Sequence, residues 1–194
     1  MPNQASETVP ISPHHVGVAA EAFAAGQFAR CGFDVSVQYG ANQPEYDLMV
    51  AKGTSLLKVS VKGSQDGSWG LTQSFLEQAA RRSGKKTDYH GAIDIWLERH
   101  GSRTVFCLVQ FADVPIDLFP RLYLATPKEV AQRMHETAKG RGDTILYENR
   151  EWTSRAYGAG TVDKIPDHWR FTRERVEELL ENDDVSVTTS QTLT

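Results

Sequence analysis

Residues 46–62 read YDLMVAKGTSLLKVSVK, and this stretch constrains the fold more tightly than any other. Two short apolar runs flank a turn at Lys52-Gly53-Thr54. Side chains alternate between faces along a strand. Leu57, Val59 and Val61 therefore share one face and belong to a core, while Lys58, Ser60 and Lys62 share the other. Asp47 opens the first strand and Lys62 closes the second. An acid and a lysine thus meet at one end of an otherwise apolar hairpin.

The flanking segments carry clear start and stop signals. Ser12-Pro13 pairs a capping hydroxyl with proline at the first helical position. The helix it opens runs to about Cys31 and stops at Gly32. Val16, Ala20, Phe23 and Ala24 fall at helical spacing and should face the core, and Glu21, the only acid in this helix, sits one position off that stripe. Phe33 to Gln38 alternates as a strand, and a loop from Tyr39 to Pro44 leads into the hairpin. Gly63 to Gly70 is read as a loop with three glycines. Leu71, Phe75, Leu76 and Ala79 predict a helix to about Ser83, closed by Arg81, Arg82, Lys85 and Lys86. Ala92–Glu98 and Thr104–Phe111 are expected to be strands joined at His100-Gly101-Ser102, with a short strand at Leu122–Ala125. Thr126-Pro127 opens a helix to about Ala138, followed by a turn at Lys139–Asp143 and a strand at Ile145–Glu148. Residues 149–168 are irregular, and Phe171 to about Asn182 is a last helix with Phe171, Val176, Leu179 and Leu180 on its apolar side.

This order implies an α/β fold, a mixed central sheet flanked by helices. The chain has 194 residues, enough for one core and too few for two comfortable ones. We expect loose tails at 1–11 and 183–194 and a single domain over 12–182, with a core at about 13–111 and a C-terminal extension at about 112–182. The net charge of −4 means that any surface for nucleic acid must be a local basic patch. Two cysteines without CxxC spacing argue against a disulfide framework and a zinc ribbon. The six histidines show no metal-ligand spacing. No apolar run approaches the roughly 18 residues that span a bilayer, and the first residues lack a basic start and an apolar stretch. A cytoplasmic protein without a membrane partner is the expectation.

An alanine-rich helix with an inward acid, then a hairpin carrying an aspartate and an S-x-K end, then a helix and a further strand, resembles the PD-(D/E)XK nuclease superfamily. Its small Holliday-junction-resolvase-like and restriction- or homing-endonuclease-like members are similar in order over about residues 13–98. The residues that carry the resemblance are Glu21, Tyr46-Asp47 at the place of Pro-Asp, and Ser60-Val61-Lys62 at the place of (D/E)-x-K. It implies a restriction-endonuclease-like αβββαβ core and a metal-dependent endonuclease, a hydrolase that cuts DNA phosphodiester bonds. It implies Mg²⁺ as cofactor, with Mn²⁺ as a substitute, DNA as partner and a homodimer for double-strand cuts. In that scheme Asp47 is the main metal ligand, Glu21 an auxiliary ligand, the Val61 carbonyl a further one, and Lys62 positions water or stabilises charge.

Ser60 departs from the motif, because a neutral hydroxyl is a poor Mg²⁺ ligand. Three readings stay open. The missing acid has moved to the following helix, as in restriction enzymes with S-x-K, with Glu77 as the candidate metal ligand. Alternatively, Asp47 and Glu21 alone hold one metal. Or the site is inactive, and the fold serves as a nucleic-acid- or protein-binding module, for instance in a defence or mobile-element system. Arg81, Arg82, Lys85 and Lys86 are the densest basic patch and the expected phosphate contacts. Ser64 and Gln65, with Trp69, lie in the loop after Lys62, and two readings of it stay open: it enters a DNA groove or stacks on a base, with Ser64 and Gln65 as nucleic-acid contacts, or it is a plain connection. Trp96, Trp152 and Trp169 are expected to be packing residues.

Overall fold

A computed structural model describes residues 11–38, 46–100 and 104–184. Helix α1 (Pro13–Arg30) starts where expected, with the Ser12 hydroxyl accepting a hydrogen bond from the His15 amide. Its buried stripe is Val16, Ala20, Ala24 and Phe28, every fourth residue. Phe23 is only half-buried and packs instead against Phe111 and Phe119 at the edge of the core.

Strands β1 (Asp34–Val37), β2 (Leu48–Lys52) and β3 (Ser55–Ser64) form an antiparallel meander. The chain then passes through β4 (Ser68–Gly70), α2 (Leu76–Ser83) and α3 (Tyr89–Glu98) before β5 (Thr104–Gln110). β5 pairs with β3 in parallel, which requires a crossover of this length. β6 (Arg121–Ala125) closes a five-stranded mixed sheet in the order β1-β2-β3-β5-β6. Apart from β4, which lies outside this sheet, the order up to β5 is helix, three strands, helices, strand, the αβββαβ arrangement. Helix α4 (Pro127–Gly140), strands β7 (Ile145–Tyr147), β8 (Asn149–Glu151) and β9 (Val162–Lys164), and helix α5 (Arg173–Asp184) follow.

Both faces of the sheet are covered, so all seven residues of β5 are buried. Val105, Cys107 and Val109 face α1 and α5, together with Leu57, Val59, Val61, Val176 and Leu179. Phe106 and Leu108 face the other way, into a core with Ile93, Trp96, Val130 and Met134 from α3 and α4. The hairpin alternation is as expected, except that Ser60 is also buried, in a cleft that it shares with Trp96 of α3 and Phe106 of β5. No helix among the described residues is long and apolar enough to cross a membrane.

Three expectations are corrected. Residues 92–98 are not a strand but most of α3. The Asp88 side chain caps the Gly91 amide at 3.1 Å, and Ala92, Ile93, Ile95 and Trp96 bury a stripe at helical spacing. The stretch 63–70 is not a plain loop, because β3 continues through Ser64 and β4 pairs with β7. Residues 149–168 are not wholly irregular, since β8 and β9 pair. The expected loop at 39–44 lies outside the described residues, as do 1–10 and 185–194 of the expected tails and Gly101 and Ser102 of the turn at 100–102; residues 183 and 184, assigned to a tail, end α5.

Candidate active site

The antiparallel pairing of β2 with β3 ends at Leu48 opposite Val59. Asp47 still donates its amide to the Val59 carbonyl at 2.9 Å. Beyond it the next outward-facing amide of β3, that of Val61, has no strand partner on that side. The Asp47 carboxylate takes its place and accepts the Val61 N–H through Oδ2 at 2.6 Å. The N–H and C=O of a strand residue point to the same edge, so the Val61 carbonyl also faces the Asp47 side. A carboxylate and a main-chain carbonyl are therefore brought to one spot by the termination of a strand ladder.

Asp47, Ser60 and Lys62 line one cleft of about 380 Å³, together with Phe75, Arg99 and His100. Lys62 is exposed, and its main-chain carbonyl accepts a hydrogen bond from the Trp69 indole at 2.9 Å, which holds the strand end. Trp69 is buried against Tyr123. Base stacking by the loop that contains Trp69 does not extend to this residue: its ring is core, and its N–H is a structural clamp.

Glu21 reaches the same neighbourhood from the opposite face of the sheet. Partial burial pushes its carboxyl above the usual carboxylate range, and the Asp47 charge adds to this, against the opposing pull of Lys62 and His14. Close packing brings α1 so near. A Cβ on Gly63 would lie 2.8 Å from the Val16 carbonyl oxygen and 2.9 Å from the Ala20 Cβ. Glycine directly after Lys62 therefore lets α1 lie on the strand end, a role that the sequence reading, which placed Gly63 in a loop, missed.

The other expected residues lie elsewhere. Glu77 is exposed, pairs with Arg81, and shares a separate surface depression with Ser74, Gln78 and Arg82. The structure does not bring it into the cleft of Asp47 and Lys62. Arg82 pairs with Glu98 at 3.7 Å and Lys85 with Asp88 at 3.5 Å, and Lys86 is exposed beside them. Ser64 is buried as the last residue of β3, where its hydroxyl donates to Asp66 at 3.0 Å and accepts from Gln110 at 3.1 Å. Gln65 is exposed and donates to the Ile11 carbonyl at 3.2 Å. Arg99 and His100 were not anticipated, because a strand assigned to 92–98 does not say which way its end points.

Among the described residues no group of three His, Cys, Asp or Glu side chains is arranged to hold a metal ion. Two carboxylates and a main-chain carbonyl are still hard oxygen donors, and Mg²⁺ is commonly bound by one or two carboxylates with water and substrate phosphate completing its shell. The donor set therefore fits such an ion.

No individually curated protein matches this chain. Among solved structures, Hjc of Archaeoglobus fulgidus, a Holliday junction resolvase, is similar with 14% identity and a TM-score of 0.34, over 59% of this chain and 79% of that one. The family model for PD-(D/E)XK endonucleases matches residues 11–154, and with that match over most of its length the chain belongs to the PD-(D/E)XK endonuclease family.

Proposed function

We propose that the protein is a divalent-metal-dependent endonuclease that hydrolyses phosphodiester bonds in DNA at the cleft of Asp47 and Lys62. The observation that carries this reading is the capping of the Val61 amide by Asp47, with Lys62 lining the same cleft. Asp47, the Val61 carbonyl and Glu21 would hold the ion, Mg²⁺ by its preference for oxygen, which supplies charge neutralisation and an acidified water when bound. The Lys62 ammonium stabilises negative charge building on the phosphoryl oxygens. Hydroxide adds to phosphorus, one P–O ester bond breaks, and the departing alkoxide takes up a proton. Ser60 leaves the site one carboxylate short, so the two-carboxylate reading with Asp47 and Glu21 is preferred over a displaced acid at Glu77. A cut through both strands calls for two copies, since one site cleaves one strand.

Two results separate the readings of the acids. Glu77→Ala should leave cleavage within about two-fold of wild type, as surface changes away from a site usually do; a loss as deep as that of an Asp47 variant would restore Glu77 as a ligand. Glu21→Gln should lose cleavage and yet not lose stability. A carboxyl raised in the folded state disfavours folding above its pKa, and this penalty disappears as pH falls through the ordinary carboxylate range. At neutral pH in EDTA the variant should therefore melt at or above the wild-type temperature, with the difference closing on acidification. A lower melting temperature at neutral pH would make Glu21 a structural residue.

Ser60 in the acid position also favours a second reading, an inactive binding module. Linear, supercoiled and branched DNA incubated with Mg²⁺, Mn²⁺ or EDTA decides between them. Metal-dependent cutting supports the enzyme. DNA binding without cutting under any condition supports the module.

A further inference from the structure

We infer that Arg99 is a second phosphate-gripping residue of the cleft, holding a phosphodiester that flanks the one at Asp47 and Lys62. This rests on the nuclease reading and adds to it a substrate contact that neither the motif nor the basic patch on α2 contains. Arg99 is the residue that closes α3, and it lines the same cleft as Asp47, Ser60 and Lys62. Its guanidinium lies over the Phe75 ring, 4.6 Å from the centroid. Among the described residues no carboxylate lies within ion-pair distance of it, whereas Arg81 and Arg82 on α2 both have acidic partners.

A cation at a helix C-terminus is favoured by the helix dipole alone. That accounts for the charge at this position but not for the ring beneath it or the cleft in front of it. An aromatic face restrains a guanidinium without using its N–H donors. The ring therefore consumes none of the guanidinium donors, and a phosphate accepts such donors in pairs. Lys62 comes from the end of β3 and Arg99 from the end of α3, so a strand crossing the cleft meets two cations from two separate elements.

The test is binding of a fluorescent 20-base-pair duplex in EDTA, where nothing is cut, across a salt series, with cleavage in Mg²⁺ followed in parallel. Each phosphate contact contributes about −0.9 to the slope of log K against log salt on duplex DNA. Arg99→Gln is expected to weaken binding about ten-fold and to reduce the slope by about one. Arg99→Lys should keep the slope and recover part of the affinity. Phe75→Leu should weaken binding about two- to five-fold at unchanged slope, because the charge stays while its support goes. Arg155→Gln, an exposed arginine outside the cleft, serves as control. Wild-type affinity and slope in Arg99→Gln, with a wild-type enzyme that binds and cuts, would overturn the Arg99 assignment alone. An equal loss in Arg155→Gln would also overturn it, reducing the effect to net charge. A wild-type protein that neither binds nor cuts DNA would sink the nuclease reading and this inference together.

Discussion

Asp47→Asn is expected to abolish metal-dependent cleavage while leaving the fold and its melting temperature close to wild type. The two halves of that result follow from two different properties of the carboxylate, a hydrogen bond and a charge. Its Oδ2 takes the Val61 amide at 2.6 Å and so finishes the β2–β3 ladder. An asparagine carbonyl can accept the same hydrogen bond, so the strand end stays satisfied. What asparagine removes is the negative charge, which a hard divalent cation needs. Asp47→Ala confuses the two effects, because an unpaired buried amide costs about 1–3 kcal/mol. Lys62→Ala is expected to reduce turnover about 10²- to 10³-fold, the range for removing one group that stabilises developing charge. The checks are cleavage of supercoiled DNA, titration calorimetry with Mg²⁺ or Mn²⁺, and thermal melting of each variant. Full cleavage in Asp47→Asn would mean that the chemistry is held elsewhere in the chain.

Gly63→Ala is expected to damage both stability and activity, although no reaction would use the atom it adds. The new methyl would meet the Val16 carbonyl oxygen at 2.8 Å, the Val16 Cγ1 at 2.9 Å and the Ala20 Cβ at 2.9 Å. One of these is backbone and another is the first atom of a side chain, so neither can rotate away. Relief requires α1 to move off the sheet, or β3 to bend. Overpacking of this kind costs roughly 1–3 kcal/mol, and each kcal/mol lowers Tm by about 2–4 °C in a chain of this size. The displacement also carries Glu21 away from Asp47, and the electrostatic coupling between them weakens with distance. Cleavage should fall with it, and higher Mg²⁺ should recover part of the loss if metal affinity is what suffers. Gly17→Ala is the matched control. It lies in the same helix with nothing within 4 Å of the added carbon, and exchanging glycine for alanine in a helix should raise stability by about 0.5–1 kcal/mol. A Gly63→Ala protein as stable and active as wild type would show that α1 tolerates a larger separation and that its close seat does not position Glu21.

The hairpin, the first helix and the entry to α4 were legible because their signals are local. Ser12-Pro13 and Thr126-Pro127 each supply a cap acceptor and a residue preset for helical φ, and both helices start there. Leu57, Val59 and Val61 alternate with polar residues on a strand that does put them in the core. The motif residues could be read in order for the same reason, since a strand end and a helix face are set by a few neighbouring positions. Residues 92–98 read as a strand because Ala-Ile-Asp-Ile-Trp-Leu-Glu is a short, mostly apolar run with β-branched and aromatic residues, yet its buried positions match a helix once α2 and the sheet lie on either side. A short apolar run does not carry its own period unambiguously.

What the sequence by itself determined is therefore the αβββαβ order, the polar end of the hairpin, and Asp47 and Lys62 as the residues standing there. Only the tertiary structure decided that the charges of Asp47 and Lys62 bear on the Glu21 carboxyl, that Glu77 belongs to another surface, that Trp69 is core, and that Arg99 lies in the cleft. The physical reason is the range of the interactions. Caps, turns and strand alternation act over a few residues along the chain. Which side chains share a cleft depends on how closely whole elements pack, here on a missing Cβ at Gly63 and on the point at which β2 stops pairing with β3.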